Sequence, residues 1–373
     1  MLCSMTSKVF FMRITDDDED KDNAAKLNKL FDKSDFINNL EEDDKIAIKT
    51  HFGERGNTTY LNPAFSRKIV DILEPANVKA FLTDTNTLYH HYRTNSVDHL
   101  ETANRHGYTY SVLNAPVIIA DGLNGNNEVE VEIDQELFKK VKIAGDIYES
   151  DGLIVLSHFK GHCMCGFGGA IKNLAMGCAS RNGKKDQHRL VKPIISKVRC
   201  LACKVCEQMC PEEAITVTSH AIIDSKKCIG CNDCIDVCPA HIIKLNRLNS
   251  DEFCKALAEY ALGSIINKKF NKVVYINFLT NITPDCDCNN FEQNKMMDDI
   301  GILLSYDPVA IDKASYDLVN RHEHGLDSLF DSDYVPGEDK FKRLYRNIDS
   351  TIQLKEAEKL RLGTQDYELI EVM

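Results

Sequence analysis

The chain has no run of lysine and arginine, no apolar stretch of membrane-spanning length, and no complete G-x-G-x-x-G fingerprint. The first absence goes with a formal net charge of −12, from 45 basic and 57 acidic residues. Nucleic acid, which wants a basic face, is not an expected partner. No segment approaches about 18 consecutive apolar residues, so no membrane span is expected. The N-terminal MLCSMTSKVFFMRITDDDED has no basic region followed by a full apolar core, and the expected location is the cytoplasm. Gly166-Phe-Gly168-Gly169 is an incomplete dinucleotide motif without the following acidic residue, which argues against direct use of a nicotinamide. The acidic runs Asp16–Asp20 and Glu41–Asp44 read as solvated turns and a helix start.

Cysteine, by contrast, is abundant: 15 residues, eight of them between Cys200 and Cys238. Cys200, Cys203, Cys206 and Cys210 precede Pro211, and Cys228, Cys231, Cys234 and Cys238 precede Pro239. Each copy reads C-x2-C-x2-C-x3-C-P, the run by which bacterial two-cluster ferredoxins hold [4Fe–4S] centres. Short gaps let three thiolates converge on one cluster, while the fourth reaches the other. Cys200, Cys203, Cys206 and Cys238 are therefore expected on one centre, and Cys228, Cys231, Cys234 and Cys210 on the second. Zinc wants two pairs of ligands rather than triplets followed by Cys-Pro. Reduced sulfur also suits a reducing compartment.

Around this block the pattern is α/β. Segments 45–50, 78–83, 116–120 and 151–156 are short apolar runs that end in polar residues, as strands of a doubly wound sheet do. Segments 62–73 and 97–106 read as crossover helices. After the block, 251–270 reads as a helix, 273–278 and 300–305 as strands, and 308–320 as a helix with proline near its start. The expected class is α/β, a mostly parallel sheet with helices on both faces, interrupted by a small α+β ferredoxin-type insertion. The boundaries are 1–195 for the first part, 196–247 for the insertion, and 248–373 for the second part with a C-terminal cap. Strand ends at His51–Gly56, Asp84–Tyr89 and Ser157–His162 should meet in one crevice.

The segment 157–185 is dense in glycine and cations. Glycines allow positive φ and close approach to backbone amides. Gly166, Gly168 and Gly169 lead into a helix start whose amides would face an anion, with Lys172, Arg181 and Lys184 adding charge. A phosphate or carboxylate is the expected occupant, and a glycine turn kept for packing is the plainer reading. Cys286-Asp-Cys288 is too tight for the cluster pattern but suits two ligands of an additional metal ion, or a redox dithiol. His51, His158, His162, His188 and Cys178 are the residues that would complete such a metal site. Of the other cysteines, Cys3 falls in a loose terminus and Cys254 on an apolar helix face, while Cys163 and Cys165 are reactive if exposed and inert if buried.

The chain resembles the uncharacterised Fe–S centre proteins (domain of unknown function 362) through KTHFGERGN (49–57), TDTNTLY (83–89), SHFKGHCMCGFGGAIKNLAMGCASRNGK (157–184), PDCDCN (284–289) and DIGILLSYDPVAIDKAS (299–315). That resemblance implies an α/β domain with an inserted two-cluster ferredoxin and no particular reaction. A shorter stretch is similar to the G-F-x-G-G-x-K-x-x-x-x-G segment of nickel-pincer lactate racemases, whose cofactor-tethering lysine would fall near Lys172.

Three functions fit. In the first, a ferredoxin-dependent oxidoreductase, the clusters pass electrons to an anionic substrate or cofactor in the glycine-rich crevice. Lys172 and Arg181 would hold that molecule and His158 or His162 would deliver protons. A redox partner protein such as a ferredoxin would supply the electrons. The second is an electron carrier with a partner-docking domain, its acidic balance steering it to a basic surface. The third is a metal- or cofactor-handling protein that uses Cys286, Cys288 and the histidines.

Overall fold

Eight strands make one central sheet in the computed structural model, which describes residues 6–15, 20–322, 335 and 337–373. Cys3 and residues 16–19 of the first acidic run lie outside the described residues. The strands are β1 (Ser7–Arg13), β2 (Lys45–Lys49), β3 (Lys79–Asp84), β4 (Val117–Ile119), β5 (Gly152–His158), β6 (Val273–Leu279), β7 (Gly301–Ser305) and β8 (Tyr367–Glu371). Their order is β8-β1-β7-β6-β5-β2-β3-β4, and β7 alone runs against the rest. Every residue of β5 and β6 is buried, which explains their unbroken apolar sequence: such strands have no wet face.

Alternation along these strands divides the interior in two. Leu153, Val155, Val273 and Tyr275 face one core; Ile154, Leu156, Val274 and Ile276 face the other. Helices α1 (Asp20–Ser34), α2 (Pro63–Leu73) and α3 (Ser96–Arg105) cover the second face, and α4 (Ser250–Ile265), α5 (Pro308–Arg321) and α6 (Ile352–Lys359) the first. The expected helix 251–270 ends at Ile265. Sequence signals set two of these starts. Asn62 caps α2 with Pro63 in its first turn, and Asp307 accepts from Val309 and Ala310 amides (2.8 and 2.9 Å) ahead of Pro308. The C-terminal stretch is more than a cap, because β8 pairs in parallel with β1 and completes the sheet edge.

The segment 196–247 stands apart from the sheet on a small core of its own, built from Cys206, Ile215, Val217, Cys234, Cys238 and Ile243. Strands Pro193–Ile195 and Ile243–Leu245 pair antiparallel, so the chain enters and leaves this unit at one neck. The sequence repeat is also a backbone repeat. Ala202, Lys204 and Glu213 in the first half have positive φ, and so do Gly230, Asn232 and His241 at the matching places of the second.

Candidate functional site

A cavity of about 300 Å3 lies beyond the carboxyl ends of β2, β3 and β5. This is where open α/β sheets place ligands. Its floor begins with charged groups that the sheet buries in pairs. Lys49 Nζ bonds Asp84 Oδ1 (3.0 Å) and Asn173 Oδ1 (2.9 Å). Arg93, which sequence reasoning missed, meets Glu54 (3.1 Å), Asp84 (3.5 Å), His51 Nε2 (3.1 Å) and the Tyr89 hydroxyl. No periodicity or motif rule marks an arginine in His90-His-Tyr-Arg93; only the fold turns it inward. Burial alone would raise the Asp84 carboxyl, but Lys49 and two histidines hold it well below the carboxylate range.

The Cys286-Asp-Cys288 loop forms one wall. Asp287 is its peg: buried, it meets His158 Nδ1 (3.0 Å), the Lys160 ammonium and Thr59 Oγ1 (3.0 Å). Two glycines let this loop sit where it does. A Cβ on Gly161 would fall 2.0 Å from the Pro284 carbonyl oxygen, and one on Gly56 (φ +92°) would fall 2.3 Å from that of Asn290. The glycines of KTHFGERGN and SHFKGH therefore fit one and the same loop.

The glycine segment behaves differently from the expectation of a ligand-binding helix start. Ala170 and Ile171 amides already donate to Asp312, at 2.7 and 2.9 Å, and a Cβ on Gly169 would fall 2.3 Å from that carboxylate. The anion at this terminus is the protein's own, delivered by the DPVAID phrase. Burial pushes the Asp312 carboxyl up to about 6, against the hydrogen bonds that favour its charge. The helix continues as a π-turn over Asn173–Gly177, a form frequent at functional sites. Asn173 ties it to β5 through the Leu156 carbonyl (2.8 Å).

The expected site residues separate accordingly. Gly168, Gly169, Lys172, Lys184, His158, His162, Cys286 and Cys288 all line the cavity. Gly166, instead, packs on Ser350, and Arg181 packs over Gly125 with its amide on Asp121 (3.2 Å). Lys172 has no hydrogen bond or ion pair to any described residue, and sulfur surrounds it: Cys286, Cys288, Cys165 and Cys163 raise its ammonium pKa against burial. Lys184 donates to Thr85 Oγ1 and the Ala179 carbonyl (3.1 Å), and burial brings it down to about 8. His158 is bonded at both nitrogens, with Nε2 donating to the Thr280 carbonyl (2.7 Å). His162 accepts the Met164 amide at Nδ1 (3.3 Å), and burial and Lys172 hold its pKa well below the usual value. Cys165 and Cys254 are buried, and burial raises both thiols. Cys163 is partly buried, and burial pushes its thiol up to about 12.

The roof comes from the repeat unit: Cys231, Asn232, Ile235 and Asp236 close over the cavity. His90 of the α/β part donates its amide to Asp233 (2.9 Å) and fastens that roof. Within the unit are two smaller cavities. Cys200, Cys203, Cys206 and Cys238 line one, with Val217, Ala221, Ile242 and Ile243. Cys210, Cys228, Cys231 and Cys234 line the other, with Ile215, Ile223 and Ile229. Amides of Ala221 and Ala214 point at the sulfurs of Cys200 (3.3 Å) and Cys210 (3.2 Å). Among the described residues, no three His, Cys, Asp or Glu side chains are grouped as ligands of a single ion. No described helix is long and apolar enough to cross a membrane.

Comparison with known proteins agrees with the motifs. The family profile "Domain of unknown function (DUF362)" matches residues 46–317, and the chain belongs to that family. No curated protein matches it. Among solved structures it is similar to the lactate racemase apoprotein from Thermoanaerobacterium thermosaccharolyticum, at 15% identity and a TM-score of 0.34, over 75% of this chain and 52% of that one. A protein from Thermotoga maritima is similar at 11% identity and a TM-score of 0.35, over 77% of this chain and 56% of that one. The chain thus spans about half the length of these solved neighbours.

Proposed function

We propose that this is an iron–sulfur oxidoreductase in which a ferredoxin-type unit, 196–247, interrupts an α/β domain and serves the cavity beneath it. The donor sets suit the clusters: two separate, otherwise largely apolar cavities, each with four cysteines and an amide aimed at sulfur. Cys200, Cys203, Cys206 and Cys238 would hold one [4Fe–4S] centre, and Cys210, Cys228, Cys231 and Cys234 the other. When bound, such centres supply one-electron transfer at potentials set by charge, hydrogen bonds and exposure.

The observation that carries the reading is Cys231, which lines both the second four-cysteine cavity and the large cavity at the strand ends. The remaining work falls to side chains. Lys172, a cation without a hydrogen-bond or ion-pair partner among the described residues, binds the anionic group of a small molecule. His162 accepts at Nδ1, so its neutral ring carries the proton on Nε2 and offers it to the bound molecule. Leu88, Met176, Ile235 and Phe253 make the wall apolar and limit water. His158, committed at both nitrogens, acts as the anchor of the 286–288 loop rather than as an acid. A redox partner such as a ferredoxin would dock at the far end, where Cys203, Val198 and Leu201 are exposed.

The test is a redox titration of anaerobically purified protein against Lys172→Gln. Removing a positive charge from the cavity should lower the potential of one centre and leave the other unchanged, since net charge nearby sets potential. Two unshifted potentials would separate the cavity from the clusters and defeat the proposal.

A further inference from the structure

The cavity wall holds a pair of sulfurs that the electron-transfer reading leaves unused. Asn289 returns its amide to the Cys286 carbonyl (3.1 Å), closing a tight turn that carries both Cys286 and Cys288. Both side chains are half-buried and line the cavity wall. Asp287 between them is pinned into the protein by His158, Lys160 and Thr59, which fixes the turn from behind.

Basic side chains stand near Cys288. His51 accepts the Gly53 amide at Nδ1 (3.0 Å), and its Nε2 lies 3.5 Å from the Cys288 sulfur. Arg93 Nη1 lies 3.1 Å from that same nitrogen. Lys172, without a partner among the described residues, has both sulfurs among the neighbours that act on its charge. The two thiols are therefore unequal. The Cys286 thiol beside it, with His51 and Lys172, holds Cys288 well below the ordinary thiol range, while Cys286 is held well above it.

We propose that Cys288 and Cys286 are a thiol–disulfide exchange pair, Cys288 attacking and Cys286 resolving, for a small disulfide that carries a carboxylate. The Cys288 thiolate attacks one sulfur of the substrate. The substrate S–S bond breaks, one half leaves as a thiolate, and a mixed disulfide with Cys288 forms. Cys286 gives up its proton and attacks the Cys288 sulfur. The mixed bond breaks, the second half leaves, and a Cys286–Cys288 disulfide remains. Two electrons pass from the pair to the substrate. The resolving proton and one from solvent complete the two released thiols. Lys172 holds the carboxylate, and the size of the cavity restricts the substrate to a small molecule. An external dithiol reductant restores the pair in the assay.

The inference shares the cavity with the proposed function but not its premise, because this exchange needs no cluster. The experiment uses full-length, anaerobically purified protein. Its probes are the anionic 5,5′-dithiobis(2-nitrobenzoate) and the neutral 4,4′-dithiodipyridine, followed by alkylation and peptide mapping. The expected result is a fast phase that releases both halves of one reagent molecule and leaves Cys286 joined to Cys288. Cys286→Ser should release one half and trap the other on Cys288. Cys288→Ser should slow the fast phase about tenfold or more. Lys172→Gln should slow the anionic probe about tenfold and spare the neutral one. A lasting mixed disulfide on wild-type Cys288 would overturn the inference, as would equal rates in Cys288→Ser. So would one zinc per chain that is lost in Cys286→Ser. Iron and sulfide measured on the same sample judge the cluster reading separately.

Discussion

His99 is fully buried beside Asp84, 3.6 Å from its carboxylate, and burial depresses its pKa to about 4. The unfolded chain takes this proton near pH 6.5 and the folded chain only near 4. Its contribution to stability is therefore complete above pH 6.5 and is lost as the pH falls through that window. The expected loss is about 3 kcal/mol between those limits, because a gap of one pH between folded and unfolded pKa is worth about 1.4 kcal/mol. Urea midpoints between pH 7 and pH 4 should show this limb, and His99→Gln should flatten it. A wild-type profile that stays level across the window would contradict the assignment. Legibility at this scale was uneven. Cysteine spacing is visible in the sequence, because such a repeat is local. Arg93, Lys49 and Lys160 were silent, since a buried ion pair joins residues far apart in sequence and neither partner announces the other.

Among the elements, the segment from Gly169 to Gly177 depends on a carboxylate from α5. Asp312 satisfies two amides at the helix start, one on each oxygen, and Asn277 Nδ2 donates to Oδ1, the oxygen that takes the Ala170 amide, at 2.8 Å. In Asp312→Asn an NH2 group must face donors, leaving buried amides unpaired. The expected cost is about 2 kcal/mol, read as a lowered urea midpoint with the slope unchanged. An unaltered midpoint would show that the cap is dispensable. The sequence marked both pieces, the glycine run and DPVAID, but could not show that one fills the other. An external anion was the natural reading of cationic glycine-rich sequence seen alone.

The loop 284–289 gives a second case at this scale. Gly161→Ala would push a Cβ against the Pro284 carbonyl and shift the turn that carries Cys286 and Cys288. The expected outcome is a slower thiol reaction at Cys288 with an unchanged far-ultraviolet circular dichroism spectrum. Wild-type thiol kinetics in this variant would mean that the loop tolerates displacement. Strands and helices were legible from periodicity nearly to their ends: β2, β3, β5, β6 and α5 fall within a few residues of expectation. The edge pair β1 and β8 was not, because its partnership joins the two termini of the chain and leaves no local signature.

For the whole molecule, the sheet collects strand ends beneath a cysteine-rich repeat. The strands supply a pocket in which Lys172 has no hydrogen-bond or ion-pair partner among the described residues. The repeat supplies a roof in which Cys231 belongs to two cavities at once. The mostly parallel sheet could be read in advance from apolar runs. The stacking of the repeat on it could not, since the roof rests on contacts such as His90 to Asp233 that no repeat encodes.

Iron and acid-labile sulfide per chain, measured on anaerobically purified wild type and on Cys238→Ser, decide whether the repeat holds clusters. About eight of each are expected in the wild type, four for each of two centres. In the variant, the centre shared with Cys200, Cys203 and Cys206 should be the one lost or impaired. Zinc without sulfide, or a variant that instead loses the centre at Cys228, Cys231 and Cys234, would contradict the assignment.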